Sequence, residues 1–442
     1  MIMNTVSVVG LGKLGASMVA GFASRGLAVV GVDVDENVVN DLNNGVAPVR
    51  ESGLQGLIDE NCCRIRATLS TDEAVLNSDI TFVIVPTPSA EDGSFSTSFA
   101  EKAFEKIGRA LKKKDSYHVI VLTSTVMPGA TRKTLLPILE KFSGKSCGKD
   151  FGLCYSPEFI ALGTVIRDFL NPDFYLIGQF DDRSGDALQE INDKVSLNRA
   201  PSKRLSIENA ELAKISINSY VTMKITFANI LSEICEQLPG GDVDQVSDAL
   251  GMDSRIGRKY LTGGMGFGGP CFPRDNVAFS YLAEKAGVDS SVPMANHSFN
   301  SGLATRLALK ISKIAEKRKP VGVLGLSYKP MSHVTEESSG IILCQELVKL
   351  GFSVNVHDPL ALDDARGALS DSVKFYCDAN QCIEHSDFVI IANPDPVYKN
   401  LDWKALASTS GLLKIYDCWR FLKDLQKIPE IHYQSSGLSL TK

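Results

Sequence analysis

The chain has 442 residues, of which 44% are hydrophobic and 22% are charged, and its formal net charge is −6. This length exceeds what one ordinary hydrophobic core organises, so two or three globular domains are expected. The negative charge excludes a general electrostatic attraction to nucleic acid or to an anionic membrane surface.

Apolar runs such as Val119–Leu122 are far too short to cross a membrane, and the first ten residues lack the features of a secretory signal peptide. The ten cysteines include no CxxC pair, and neither they nor the six histidines show metal-ligand spacing. We therefore expect a cytoplasmic protein with free thiols, no bound metal, and neither nucleic acid nor membrane as a partner.

The N-terminal region alternates short apolar runs with helical patterns. A strand at Val6–Val9 leads through a glycine-rich turn into a helix that ends before Gly26, and a second strand follows at Ala28–Val32. Further strand-like runs are Ile80–Val85, Val119–Thr123 and Tyr175–Ile177. Strands that alternate with helices predict a parallel, doubly wound sheet.

A long helical pattern at Leu205–Gln237 contains neither proline nor glycine. Shorter helical patterns at Val243–Leu250 and Val277–Ala286 flank the glycine-rich Gly263–Gly269. A second alternating region has a helix at Ser339–Leu350 and strands at Val321–Leu324, Val354–His357, Phe388–Ala392 and Leu413–Tyr416.

The sequence thus predicts an α/β protein with two Rossmann-like doubly wound domains, joined by a long central helix and a helical middle domain. We place the first Rossmann-like domain at 1–204, the helical middle domain at 205–300, and the second Rossmann-like domain at 301–442.

A GxGxxG motif at Gly10, Gly12 and Gly15 lies between the first strand and the first helix, and Asp33 ends the second strand. Such glycines form the turn, admit a pyrophosphate and allow the helix to pack on the strand. An acidic residue after the second strand accepts hydrogen bonds from ribose hydroxyls and repels a 2′-phosphate, which favours NAD over NADP. The predicted NAD site consists of Gly10, Gly12, Lys13, Leu14, Gly15 and Asp33.

Two loops at predicted strand ends, Val85–Pro88 and Ser124–Gly129, each contain a threonine near a proline. Ligands of open α/β sheets bind at the carboxyl ends of the strands, so Thr87 and Thr125 are further candidates for cofactor contact. An ordinary loop start explains either pattern equally well.

The most unusual stretch is Gly266–Asp275, which reads GFGGPCFPRD. Its glycines let the backbone pack tightly, and its prolines restrict the turn that holds Cys271. Asp275 lies one helical turn beyond Cys271 if a helix begins there. A small buried cysteine in a tight turn explains the same pattern, and composition alone favours it.

Gly266–Asp275 resembles the active-site motif of the UDP-glucose/GDP-mannose dehydrogenase family, usually GFGGSCFPKD, with Pro270 and Arg274 as the departures. Other motifs of that family follow in order along nearly the whole chain. They are the GxGxxG turn, Val85–Pro88, Ser124–Gly129, Ser156–Phe159, Glu208–Lys214 with Asn218, Arg255–Gly257, Gly325–Pro330 and His357–Pro359.

The resemblance implies NAD-dependent oxidation of the C6 primary alcohol of a nucleotide sugar to a carboxylate. The cofactor would lie in the first domain and the nucleotide in the last, and the chain would form a homodimer or a larger homo-oligomer through the central helix. Cys271 would attack an intermediate aldehyde, and the resulting thiohemiacetal would become a thioester that water hydrolyses. Two NAD⁺ are then used per sugar, and UDP-glucose is the leading substrate.

The resemblance also assigns roles to individual residues. The catalytic candidates are Cys271, Lys214, Asn218, Asp275, Glu158 and Thr125. Lys214 would stabilise oxyanions with Asn218 one helical turn away, while Asp275, Glu158 and Thr125 would order water and assist proton transfer. The substrate-binding candidates are Glu158, Phe159, Lys214, Asn218, Arg255, Tyr260, Gly268, Tyr328 and Lys329.

Two positions depart from the family pattern in ways that affect function. Leu162 replaces a second carboxylate, and Glu336 replaces an arginine that reaches the cofactor. GDP-mannose or a UDP-N-acetylhexosamine is therefore an alternative substrate. A two-electron hydroxyacid dehydrogenase and a catalytically silent nucleotide-sugar sensor are alternative functions; the first does not explain the Cys271 motif, and the retained catalytic candidates argue against the second.

Overall fold

The computed structural model describes residues 4–160, 162–410 and 412–440, with side chains for all of these except residues 409 and 410. The chain divides into two compact units, Met1–Ser216 and Ile217–Lys442. Each unit has its own sheet and is described separately.

The first unit alternates strands and helices, as its sequence pattern predicts. Its described strands are β1 Thr5–Val9, β2 Ala28–Val32, β3 Ile65–Thr68, β4 Ile80–Val83, β5 His118–Leu122, β6 Phe151–Tyr155, β7 Tyr175–Gln179 and β8 Ser202–Ser206. Its described helices are α1 Lys13–Ser24, α2 Glu36–Asn43, α3 Leu54–Asn61, α4 Thr71–Leu76, α5 Ser98–Lys112, α6 Leu136–Ser143, α7 Val165–Leu170 and α8 Asp182–Val195, with a 3₁₀ turn at Cys62–Arg64 and a π-helical turn at Thr131–Leu135.

The sheet of the first unit has the order β3-β2-β1-β4-β5-β6-β7-β8. Its strand pairs are parallel except β6 and β7, which are antiparallel. Helices cover both faces, so successive residues of one strand enter different buried clusters: Val8 packs with α1, and Val9 packs with α5. Burial on both faces explains why the central strands β4 and β5 read as continuous apolar runs.

A long helix, α9 Ile207–Cys235, begins in the first unit and ends in the second. The other described helices of the second unit are α10 Val243–Met252, α11 Phe272–Lys285, α12 Ser291–Ile311, α13 Ser339–Lys349, α14 Leu362–Arg366, α15 Ala379–Glu384 and α16 Trp403–Ser410, with 3₁₀ turns at Pro396–Asn400 and Lys423–Lys427. Its described strands are β9 Val321–Leu324, β10 Val354–His357, β11 Val373–Phe375, β12 Phe388–Ile391, β13 Leu413–Asp417 and β14 Ile431–Ser435. They form a parallel sheet of order β11-β10-β9-β12-β13-β14.

The predicted fold class, α/β with two Rossmann-like sheets and a long central helix, is confirmed. The division into three domains at 204/205 and 300/301 stays a prediction. None of the described helices is long and apolar enough to span a membrane. Within the same residues, no group of three potential ligands could hold a metal ion.

The two sheets begin with the same kind of glycine turn. Gly10 has φ +98° and its N–H donates to Val32 O at 2.8 Å, while Gly325 has φ +107° and donates to His357 O at 2.9 Å. A positive φ of this size strains any residue with a Cβ, which explains glycine at both positions.

A second glycine completes each turn by letting the next helix approach the first glycine. A Cβ on Gly15 would lie 1.8 Å from Gly10 O, and a Cβ on Gly340 would lie 2.3 Å from Gly325 O. The glycines of the first pair are five positions apart, and those of the second pair are fifteen positions apart. The second turn therefore carries an insertion of ten residues, and Tyr328 and Glu336 lie in this longer segment.

Candidate active site

The glycine turn of the first unit has the geometry of a dinucleotide site. A Cβ on Gly10 would lie 2.2 Å from Ile84 O, whereas a Cβ on Gly12 would meet no atom within 4 Å among the described residues. Gly12 is also the N-cap of α1, and no described side chain caps that helix. The N-terminus of α1, at Lys13 and Leu14, thus begins directly at the glycine turn, where the helix dipole favours an anion.

Asp33 follows β2 and is fixed by backbone amide groups. Its Oδ2 accepts from Leu11 N at 2.7 Å, and its Oδ1 accepts from Val34 N at 2.7 Å and Asp35 N at 3.0 Å. A carboxylate has about four lone-pair sites, so Asp33 retains acceptor capacity toward a ribose. These residues fit an NAD molecule.

The loops that follow β4 and β5 are joined by hydrogen bonds. Thr87 Oγ1 donates to Thr125 O at 2.7 Å, and Ser124 Oγ accepts from Val85 N at 2.9 Å and donates to Val85 O at 2.7 Å. The structure therefore brings Thr87 and Thr125 together at the carboxyl edge of the sheet. The Thr87 hydroxyl is engaged as a donor in fixing the Thr125 loop.

Glu211 anchors the far end of the Thr125 loop, a role that sequence reasoning missed. Its carboxylate has no exposed surface and accepts from Gly129 N at 2.5 Å and Thr131 N at 2.9 Å. Burial raises the pKa of this carboxyl, and the two amide donors oppose that rise. Glu211 lies on α9, three residues before Lys214.

Lys214 is 8% exposed, so a solvated surface lysine is not what the structure shows. Its Nζ donates to Glu158 O at 2.6 Å and lies 4.5 Å from the centroid of the Phe159 ring. Phe159 in turn stacks on Phe174 with centroids 5.2 Å apart. Burial raises the pKa of Glu158 to about 7, although the nearby Lys214 ammonium lowers it.

The segment after Phe159 contains Leu162, the position where a second carboxylate is absent. Glu51 supplies a carboxylate to the adjacent backbone, because its oxygens accept from Gly163 N at 3.0 Å and Val165 N at 3.1 Å. It thereby fixes the start of α7. No sequence pattern indicates this contact, because Glu51 and Gly163 are 112 positions apart.

In the second unit, Cys271 immediately precedes α11 and is exposed, which contradicts the alternative of a buried structural cysteine. The expected helix is present, because Cys271 O accepts from Asp275 N at 2.9 Å. Asp275 is 2% exposed; its Oδ2 accepts from Asn218 Nδ2 at 2.6 Å, and its Oδ1 lies 3.6 Å from Arg274 Nε. The structure thus brings Cys271, Asp275 and Asn218 together.

The glycine-rich segment before Cys271 is held by two amide side chains. Asn229 accepts from Gly264 N at 2.7 Å and donates to Met265 O at 3.3 Å, while Asn300 accepts from Phe267 N at 2.8 Å and donates to Phe267 O at 2.9 Å. Each amide pairs with the backbone as a neighbouring strand would. The segment leading to Cys271 is therefore ordered without regular secondary structure.

Gly268 and Gly269 pack against the insertion in the second glycine turn. A Cβ on Gly268 would lie 2.1 Å from Glu337 O, and one on Gly269 would lie 2.6 Å from the Tyr328 ring. Gly269 N also donates to Glu336 O at 3.0 Å. Close backbone packing thus accounts for both glycines, and Gly268 and Tyr328 are neighbours.

The remaining substrate-binding candidates are more exposed. Arg255 pairs with Asp253 at 2.6 Å, and Tyr260 has φ +67° with 51% of its surface exposed. Lys329 Nζ lies 5.8 Å from the centroid of the Tyr328 ring. Their roles stay predictions.

Asp358 follows β10 in the second sheet as Asp33 follows β2 in the first, but the two carboxylates differ in their hydrogen bonds. Its Oδ2 accepts from Leu326 N at 2.8 Å and from both the N and the Oγ of Ser327 at 3.0 Å, and its Oδ1 accepts from Leu360 N and Ala361 N. It is also 2% exposed. Asp358 therefore has no capacity to bind a ribose, and the second sheet is not a second NAD site of the same design.

Three family models match this chain in sequence order. They are the NAD binding domain, the central domain and the UDP binding domain of the UDP-glucose/GDP-mannose dehydrogenase family, over residues 4–196, 208–301 and 322–424. The chain belongs to this family. The predicted family and the NAD cofactor are thereby confirmed, and the protein is an oxidoreductase of the nucleotide-sugar dehydrogenase type.

Individual relatives span nearly the full chain. A UDP-glucose 6-dehydrogenase from Haloferax volcanii is 35% identical over 410 residues, which cover 91% of this chain and 92% of the relative. A GDP-mannose 6-dehydrogenase from Pseudomonas putida is 32% identical over 417 residues, covering 91% and 94%. Among solved structures, a UDP-glucose dehydrogenase from Pyrobaculum islandicum matches with a TM-score of 0.87 and 33% identity, covering 99% of this chain and 98% of that one.

Proposed function

We propose that this protein oxidises the C6 primary alcohol of UDP-glucose to a carboxylate in two successive steps, with Cys271 as the covalent nucleophile. The observation that carries the proposal is the exposed thiol of Cys271 at the start of α11, with the buried carboxylate of Asp275 one turn further and bonded to Asn218. A purely structural cysteine needs neither the exposure nor the buried acid beside it.

Each residue of the proposed mechanism has a chemical task. Bound NAD⁺, held by the Gly10–Gly15 turn and Asp33, supplies the acceptor for the hydride lost in each oxidation. The Cys271 sulfur adds to the aldehyde carbon, and the thiohemiacetal is oxidised to a thioester. Water then adds to the thioester, the carbon–sulfur bond breaks, and the acid and the free thiol are released.

Charge develops on oxygen during these steps, and this accounts for the other candidates. The Lys214 ammonium stabilises oxyanions, assisted by Asn218 one turn further along α9. Glu158 accepts the alcohol proton with Thr125 ordering water nearby, and Asp275 assists the hydrolytic water. Phe159, Arg255, Tyr260, Gly268, Tyr328 and Lys329 are the proposed contacts to the nucleotide sugar.

UDP-glucose is favoured as the substrate because residues 322–424 match a UDP binding domain. GDP-mannose is an alternative, since relatives named for UDP-glucose and for GDP-mannose are 35% and 32% identical. UDP-N-acetylhexosamines are a second alternative, because they carry the same UDP group as UDP-glucose. Leu162, which cannot accept a hydrogen bond, is a further reason to test all three classes.

We also propose that the chain works as a homodimer or larger homo-oligomer. The second-unit part of α9 turns its polar side chains inward and leaves Tyr220, Phe227 and Ile234 exposed by 61%, 51% and 48%. Exposed apolar rows of this kind mark association surfaces, and a second copy presents the same row for a symmetric contact. A cytoplasmic location is proposed because all ten cysteines are free thiols.

Purified protein with NAD⁺ should be assayed against UDP-glucose, GDP-mannose and two UDP-N-acetylhexosamines, counting NADH and uronic acid. We expect UDP-glucose to give the highest kcat/KM, with about two NADH per acid released, as two hydride removals require.

Cys271→Ser should abolish sustained turnover with NAD binding retained, while the control variant Cys377→Ser, which replaces another exposed thiol, should turn over like the wild type. One NADH per turnover would contradict the covalent mechanism, and binding of a nucleotide sugar without turnover would support the sensor alternative.

A further inference from the structure

Three helices of the second unit meet behind Cys271 in a buried cluster of Thr222, Asn276 and Asn296. These residues lie on α9, α11 and α12, and they are 0%, 0% and 5% exposed. We call them the Thr222 cluster. Thr222 is not adjacent in sequence to either amide, and none of the three belongs to the motifs that identify the family.

The Thr222 hydroxyl is the centre of the hydrogen bonds within the Thr222 cluster. Asn276 Nδ2 donates to Thr222 Oγ1 at 2.8 Å, and Asn296 Nδ2 donates to Thr222 Oγ1 at 2.9 Å and to Asn276 Oδ1 at 3.0 Å. Thr222 Oγ1 itself donates to Ser219 O at 2.7 Å. A buried amide or hydroxyl is costly unless bonded, so this pattern holds the three helices in one register.

The cluster reaches the residue next to Cys271. Asn276 Nδ2 also donates to Phe272 O at 2.9 Å, and Phe272 is the first residue of α11. Both amide hydrogens of Asn276 are therefore used, one toward α9 and one toward the turn that carries the thiol. Movement of the start of α11 would break one of these bonds.

A second anchor connects the same two helices one turn away. Asp275 accepts from Asn218 Nδ2 at 2.6 Å, so neighbouring residues of α11 bind α9 at positions four residues apart. Two contacts at this spacing fix both the rotation of α11 and its position along α9. One of them is the acid proposed for catalysis, and the other has no chemical task in the reaction.

We propose that the Thr222 cluster is a positioning device for Cys271, with Asn276 as its central residue. It keeps the N-terminal amide groups of α11, which favour negative charge, aligned with the sulfur, and it holds the sulfur in place for attack on the aldehyde. The second role rests on the proposed function. The first is a property of the thiol itself and is measured without a substrate.

Thr222→Val removes the hydroxyl and keeps the shape, whereas Thr222→Ser keeps the hydroxyl. Thr226→Val is a matched control, because Thr226 lies one turn further on α9 and its buried hydroxyl has no hydrogen-bond partner among the described residues. The readout is the rate of iodoacetamide alkylation of Cys271, followed by peptide mass spectrometry. Exposed Cys377 serves as the internal reference, and buried Cys344 reports unfolding.

Alkylation of Cys271 should be several-fold slower in Thr222→Val and unchanged in Thr222→Ser and Thr226→Val. In Thr222→Val the sulfur remains exposed but loses its alignment with the amide groups of α11, which favour the negative charge of the reacting thiolate. With substrate, kcat should fall about tenfold to a hundredfold in Thr222→Val, while the KM values for sugar and NAD⁺ stay within about twofold. A purely structural cluster would lower the melting temperature and leave the alkylation rate and kcat at wild-type values, and that result would overturn the proposal.

Asn296→Ala is the second variant, for use if reaction of Cys344 shows that Thr222→Val does not fold. It leaves the bond between Asn276 and Thr222 in place and should slow alkylation to a smaller extent. An unchanged rate in folded Asn296→Ala would equally overturn the proposal. If the wild-type protein oxidises no nucleotide sugar, the proposed function fails, but the alkylation comparison still decides the role of the cluster.

Discussion

Glu158 is partly buried, and its backbone carbonyl oxygen accepts a hydrogen bond from the Lys214 ammonium group. Burial raises the pKa of the Glu158 carboxyl from about 4.5 to about 7. A carboxyl with a pKa near neutrality is an effective general base, because a large fraction is ionised at neutral pH and its proton affinity is still high. The same burial disfavours the ionised carboxylate, so it is expected to make the folded protein less stable as pH rises.

We expect kcat to rise with pH and level off above a midpoint near 7, since the proposed base must be ionised to accept the alcohol proton. Glu158→Gln should lower kcat at pH 8.5 by about a hundredfold and abolish this rise. The measurement is a pH–rate profile under saturating substrates. A control is Glu105→Gln, an exposed carboxylate paired with Arg109, which should retain the rise; a profile unchanged in Glu158→Gln would exclude Glu158 as the base.

Stability should change with pH in the other direction. Between pH about 4.5 and about 7 the folded protein binds the Glu158 proton more tightly than the unfolded chain does, so this residue lowers the free energy of unfolding as pH rises through that window. Glu158→Gln should therefore have a higher free energy of unfolding than the wild type above pH 7, and this difference should be smallest at pH 4.5. Urea unfolding at several pH values gives this difference directly.

At the scale of secondary-structure elements, α9 has a reversed distribution of polarity in the second unit. Thr222, Asn229 and Ser232 are buried, while Tyr220 and Phe227 are about half exposed. The inward polar groups are used to hold the segment that leads to Cys271, as Asn229 does for Gly264. The outward row has no such role in a single chain, which is why a second copy is its proposed partner.

Phe227→Glu should weaken the proposed self-association by more than tenfold, because it places a charge in an apolar contact that occurs twice in a symmetric dimer. Sedimentation velocity over a range of protein concentrations measures the effect. Leu360→Glu is the matched control, since Leu360 is 55% exposed and follows β10 of the second sheet, so it is not part of α9. Equal dissociation constants for Phe227→Glu and wild type would contradict the proposed surface.

Sequence patterns predicted elements well where local signals were strong. The first strand, the glycine turn and α9 lie within two residues of their predicted bounds. In contrast, α12 was missed because Pro293 lies near its start and Gly302 within it, and its buried residues are mixed with exposed ones all along its length. The antiparallel pairing of β7 with β6 was also not predicted, since strand direction depends on the connection and not on the strand's own residues.

At the scale of the whole molecule, the site candidates came from short motifs, and the residues that hold them did not. Glu211 contacts Gly129 across 82 residues, and Asn296 contacts Thr222 across 74, so no local pattern could reveal either contact. The likeness of the two glycine turns was hidden for a related reason. The ten extra residues between Gly325 and Gly340 remove the GxGxxG spacing, although the backbone geometry is the same.

Asp33, after the first turn, retains capacity to accept hydrogen bonds, whereas Asp358, after the second, does not. This difference predicts separate ligands for the two units. NAD⁺ at about a hundred times its Kd should add about 2.7 kcal/mol to the stability of the part of the chain that binds it. Hydrogen exchange with mass spectrometry should show that protection by NAD⁺ centres on Gly10–Gly15 and the Thr87 and Thr125 loops, and protection by UDP on residues 322–424.

Gly12→Val, where a side chain meets open space, should fold normally, lose the protection by NAD⁺ and keep the protection by UDP. Protection of the Gly10 turn by UDP alone would show that the engaged Asp358 does not separate the two sites.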